Sequence, residues 1–128
     1  MKKRCICLKI NDGLYVDVDI LINEEKGCVT AVARDCCKLG IYACMSDKYF
    51  RSISWFLLQD GCKLGKDLLM KDEYSAVARC SPDDTFDVDF GEKLALFRLG
   101  LKLDHSMSSR RNMLAKELFL TAKRLVDD

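Results

Sequence analysis

Apolar and polar positions alternate from the start of the chain. Over residues 4–10, Arg4, Ile6, Leu8 and Ile10 fall on one side of an extended backbone, and Cys5, Cys7 and Lys9 on the other. Asn11-Asp12-Gly13 is a turn, after which Leu14, Val16, Val18, Ile20 and Ile22 alternate against Tyr15, Asp17 and Asp19. A period of two on both sides of an Asp-Gly turn predicts a β-hairpin. Asn23 to Gly27 is a second polar turn, and Cys28 to Arg34, β-branched and small, predicts a third strand that completes an antiparallel meander.

The pattern then changes. Asp35 to Cys44 reads as irregular, with Gly40 as a breaker. Ser46 and Asp47 cap a helix over 47–59, with Gly61 as its C-cap, and Leu68 to Met70 reads as a short strand pairing with Tyr74 to Cys80. Pro82 cannot donate to a ladder, so that last strand must stop by Ser81. Asp87 caps a helix containing Phe90, Leu94, Ala95, Leu96, Phe97, Leu99, Leu101 and Leu103. These cover most of its circumference and predict a largely buried element. Ser106 or Ser108 then caps a separate last helix running to about Val126.

The fold expected is therefore α+β. An N-terminal antiparallel meander is followed by a middle helix, a further strand or hairpin, and two C-terminal helices packed on the sheet. Residues 1–128 form one domain, with the meander and a Cys-rich loop in 1–45, helix and strand in 46–80, and an acidic turn and two helices in 81–128. Ile6, Leu8, Val16, Val18, Phe56, Leu94, Phe97 and Leu101 are expected to be buried together.

Composition narrows the function classes. With 49% apolar residues in 128, the chain can bury a real core. Lys and Arg total 21 against 20 Asp and Glu, a net charge of +1. That balance disfavours both a dedicated nucleic-acid binder and an acidic DNA mimic. Residues 2–4 are basic, 83–92 acidic, and Arg110, Arg111, Lys116, Lys123 and Arg124 return to basic. No apolar run approaches the roughly 20 residues of a membrane span, and no signal peptide is visible, so a cytoplasmic protein is expected.

The eight cysteines then need an account. In a reducing compartment they are buried thiols, metal ligands or redox groups rather than disulfides. No tight C-x2–4-C turn is present. The better ligand group is Cys36, Cys37 and Cys44 in the irregular loop, with Cys80 or His105 as a fourth ligand to one structural zinc. The competing reading makes these cysteines small apolar core residues. No thiol has a histidine placed to activate it, and no P-loop, G-x-G-x-x-G or G-x-S-x-G occurs, so no enzyme is expected.

Ala78-x-Cys80-x-Pro82-Asp83-Asp84-x-Phe86-Asp87, followed by Gly91, Leu94-Ala95 and Arg98, resembles a module of small proteins from Firmicutes phages and integrated mobile elements. The stretch that carries it runs from Ala76 to Arg98. The resemblance implies a mobile-element protein, and ranks first a non-enzymatic inhibitor of a host defence protein. Its most specific form is an anti-CRISPR protein that blocks target-DNA loading on a Cas9-type effector by protein contact. The alternative is a phage nucleic-acid-binding accessory factor that uses the basic terminal helix. Aromatic and arginine residues are the usual anchors of protein interfaces, which singles out Tyr42, Tyr49, Arg51, Arg110 and Arg111 as partner-binding candidates. The last two fall in the first turn of the expected last helix, where the dipole disfavours cations.

Overall fold

The alternating segments form the sheet they predict. A computed structural model describes residues 1–11, 14–45 and 66–127, and among them the fold is α+β. In chain order the elements are β1 (Lys2–Asn11), β2 (Leu14–Asn23), β3 (Cys28–Ala33), α1 (Leu39–Met45), β4 (Tyr74–Arg79) and α2 (Val88–Asp127). The described chain divides into two compact units, Met1–Cys36 with Lys71–Asp104, and Cys37–Met70 with His105–Asp128.

The first unit holds an antiparallel sheet in the order β1-β2-β3-β4. Its register pairs Ile6 with Val18 and Leu8 with Val16, then Val18 with Ala33 and Ile20 with Ala31, and finally Ala31 with Ala76 and Val29 with Ala78. Because side chains alternate, these residues share one face. Val16, Val18, Ile20, Val29, Ala31, Ala33, Ala76 and Ala78 are all buried there. Cys5, Cys7, Tyr15 and Asp17 stand exposed on the other face, as the alternation requires.

The N-terminal half of α2 lies against the buried face. Four alanines of β3 and β4 keep that face shallow, and Gly91 brings the helix close to it. A Cβ at Gly91 would meet Val29 Cγ2 at 2.9 Å. Arg4 of β1 pairs with the buried carboxylate of Glu92. On the opposite flank, Arg98 Nη1 donates to the Val77 carbonyl at 2.8 Å and Lys102 Nζ to the Ser75 carbonyl at 2.6 Å. Two helix cations thereby occupy carbonyls of edge strand β4 that would otherwise offer a template to another strand.

In the second unit, α1 packs by close approach. Gly40 faces the Leu68 carbonyl so tightly that a Cβ there would collide with its oxygen and fall 2.9 Å from Arg110 Cγ. Met70 N donates to the Cys37 carbonyl at 2.7 Å. Among the described residues of this unit, Leu39, Ile41, Ala43, Cys44, Leu68, Met70, Met107 and Leu114 are buried.

Four local expectations are corrected. Residues 39–45 are helical rather than irregular, because Gly40 serves a close contact and not a break. Leu68 to Met70 is not a strand; β4 pairs with β3 instead. One continuous helix, Val88–Asp127, replaces the two expected C-terminal helices. Neither glycine nor proline interrupts Asp104 to Ser109, and Ser106 Oγ accepts from Arg110 Nη1 at 2.9 Å one turn on, rather than capping a new helix. Finally, the expected common core is only partly buried: Val16 and Val18 are buried and Ile6, Leu8 and Leu94 half-buried, but Phe97 and Leu101 are exposed. Phe56, the helix expected at 47–59 and the Asp12-Gly13 turn lie outside the described residues. No helix among the described residues is long and apolar enough to cross a membrane.

Candidate functional site

Helix α2 has two apolar faces in the first unit, and the sheet covers one. At about 100° per residue, Gly91, Glu92, Ala95, Leu99 and Leu103 form the covered face. All five are buried. Phe90, Leu94, Phe97 and Leu101, at i, i+4, i+7 and i+11, fall within an arc of about 60° centred about 160° away. Phe90 and Phe97 are each 64% exposed and Leu101 55%. A helix apolar all round is normally buried all round. Leaving the larger side chains of this one in water forgoes the hydrophobic stabilisation that their burial would supply.

The stripe begins at a cleft of about 410 Å³, lined by residues 78–81, 84–87, 90, 91 and 94. All of these residues fall within the stretch Ala76 to Arg98. The ladder ends at Arg79, two residues before Ser81-Pro82, and the Asp84 N–H donates to the Ser81 carbonyl at 3.0 Å to turn the chain. Asp87 Oδ1 then accepts from the Phe90 N–H at 3.2 Å, the cap anticipated for this helix. Cys80 N donates to the Gly27 carbonyl at 2.8 Å, which ties the end of β4 to the β2–β3 turn. Its thiol donates to the Ser81 and Asp84 carbonyls, each at 3.4 Å. Asp83, Asp84, Asp87 and Asp89 stand exposed around this end of the helix.

A second polar cluster lies on the outer sheet face. Asp19 sits directly across from Cys5, and its Oδ1 accepts the Cys5 thiol at 2.8 Å. Its other oxygen takes Arg34 Nε at 3.2 Å and Lys3 Nζ at 3.7 Å. The thiol hydrogen bond, with desolvation and the nearby negative charge, raises the pKa of Cys5 above the ordinary thiol range. The same hydrogen bond, then Lys3 and Arg34, lowers Asp19 below the ordinary carboxylate range, outweighing desolvation. A thiol held protonated in this way is a poor nucleophile.

The cysteines expected to share a zinc are distributed as follows. Cys36 is buried in the first unit with its thiol 3.7 Å from the Arg34 carbonyl, and Cys80 lines the cleft of the same unit. Cys37, half-buried, and Cys44, buried on α1, belong to the second unit, as does His105, which is exposed. Among the described residues no three His, Cys, Asp or Glu side chains are grouped as ligands to a metal ion.

Of the partner-binding candidates, Tyr42 is exposed on α1. Tyr49 and Arg51 lie outside the described residues. Arg110 and Arg111 stand in the interior of α2, so no helix-dipole penalty applies to them. Arg110 donates to Ser106 and, at 3.2 Å, to the Leu69 carbonyl; Arg111 donates to Ser108 Oγ at 3.1 Å. The stripe of Phe90, Phe97 and Leu101 escaped sequence reasoning because its residues match the core pattern equally well. The available signal was the contrast with the small residues Gly91 and Ala95 on the other face.

The fold and site thus define an α+β protein with an outward apolar helix face and an acid-rimmed cleft. No family model, no curated protein and no solved structure matches the chain.

Proposed function

We propose that this protein is a non-enzymatic inhibitor of mobile-element origin that acts in the host cytoplasm by binding a host defence protein through the outward face of α2. In its most specific form it is an anti-CRISPR protein that excludes target DNA from a Cas9-type effector by protein contact. The observation that carries the reading is the exposed stripe of Phe90, Phe97 and Leu101, set opposite a fully packed helix face. Interface cores are enriched in such aromatic side chains. The resemblance of Ala76 to Arg98 to a mobile-element module supplies the lineage, and that module forms the cleft at the head of the stripe. The nucleic-acid alternative draws no support from Arg110 and Arg111, whose guanidinium groups are engaged within the chain.

The test is order of addition. A guide-loaded Cas9-type effector is mixed with the protein before or after fluorescent target duplex, and bound DNA is measured. Inhibition only when the protein is added first supports the reading, because a blocker of loading cannot act on an R-loop already formed. Undiminished DNA binding in both orders removes this target.

A further inference from the structure

We infer that the cleft between the end of β4 and the start of α2 receives one large apolar side chain of the partner, from a segment that carries Lys or Arg beside that anchor. The inference rests on the reading of α2 as a docking face, and adds the chemistry of what docks. Ala78, Phe86, Phe90 and Leu94 give the cleft its apolar lining, and about 410 Å³ lies at the small end of ligand-sized cavities. That is room for an anchor side chain rather than a whole peptide.

Its surroundings set the charge of the occupant. Asp84, Asp87 and Arg79 are the charged residues of its lining, and Asp83, Asp89 and Lys93 stand exposed beside them in the sequence, an excess of acid. Asp87 spends one oxygen on the helix cap, while Asp83 and Asp84 stand in the turn with both carboxylates in water. Carboxylates around an apolar entry favour a cationic segment and repel an acidic one, which sets partner choice and association rate.

The probe is a displayed library of random 16-residue peptides selected on the full-length chain, with enriched peptides synthesised and titrated by fluorescence anisotropy at two salt concentrations. Enriched sequences should share an aromatic or leucine residue flanked by Lys or Arg. Asp83→Asn with Asp84→Asn should weaken their binding about three- to tenfold, as expected for exposed charge pairs, and flatten the salt dependence. Phe90→Ala should weaken it about 30-fold, the scale of an interface anchor. The Asp changes should leave the melting temperature at the wild-type value and Phe90→Ala should lower it by only several degrees, since these side chains are exposed. Peptides that bind through Phe97 and Leu101 but ignore Asp83, Asp84 and salt would overturn the inference and leave the docking face standing. Enriched peptides insensitive to Phe90→Ala, Phe97→Glu and the Asp changes alike would overturn both. Dimerisation of the chain that is lost in Phe97→Glu would overturn the inference in favour of a second copy.

Discussion

Truncating Phe97 and Leu99 to alanine, one at a time, separates the two faces of α2. The two positions lie two residues apart in one helix, and both replacements put in the best helix former, so backbone propensity cannot account for a difference. Leu99 is 0% exposed, and its removal leaves a cavity between helix and sheet; the expected cost is about 3–5 kcal/mol, the transfer term plus the cavity term. Phe97 is 64% exposed, so roughly a third of its surface is withdrawn from water. At about 25 cal/mol per Å² that remainder is worth about 1–2 kcal/mol, partly offset by alanine's better propensity. Were both side chains core residues, Phe97→Ala would be expected to cost about 3–5 kcal/mol as well. The assay is urea unfolding followed by circular dichroism, with stability compared at constant denaturant slope. A Phe97→Ala cost above about 2.5 kcal/mol, equal to that of Leu99→Ala, would refute the two-faced helix.

Other outcomes follow from particular contacts. Gly40→Ala should destabilise the protein by about 1–3 kcal/mol in the same assay, although propensity alone predicts a gain of about 0.8–1 kcal/mol, because the added Cβ would collide with the Leu68 carbonyl oxygen. Asp19, with its pKa lowered by Cys5, Lys3 and Arg34, contributes stability that is complete above the ordinary carboxylate range and lost as pH falls through its folded value. Cys5, with its pKa raised, contributes in the opposite sense, losing its contribution as pH rises above the ordinary thiol range; Asp19→Asn should flatten both limbs of the stability–pH curve and speed iodoacetamide labelling of Cys5, read by peptide mass spectrometry. Cys36→Ser and Cys44→Ser should each cost about 1–3 kcal/mol through burial of a hydroxyl, read as a fall in stability in the same urea assay.

The sheet was legible because a period of two admits one solution when a single face is covered. Val16 and Val18 had to face inward and Tyr15 and Asp17 outward, and they do. The Asp87 cap and the end of β4 before Pro82 were equally local, and equally readable. What periodicity could not supply was the choice between two apolar faces of one helix, since Phe97 and Leu99 are both apolar and only the sheet's depth decides between them. That depth is set by Ala31, Ala33, Ala76 and Ala78, brought together by the pairing of β3 and β4. Two Ala-Val-Ala-Arg segments, 31–34 and 76–79, both feed alanines to this shared face. Gly40 misled for a related reason: a glycine needed for close approach looks the same in sequence as one that ends an element.

The docking role of the outward face is tested most directly by one affinity measurement. The Phe97→Glu chain and the wild type are titrated against an immobilised guide-loaded Cas9-type effector, with melting temperatures recorded for both. A fall in affinity of about 30-fold or more, with the melting temperature lowered by only several degrees, is the expected result, because a carboxylate would replace the central aromatic of the stripe while Leu99 and the covered face stay intact. Wild-type affinity in the Phe97→Glu chain would contradict the account.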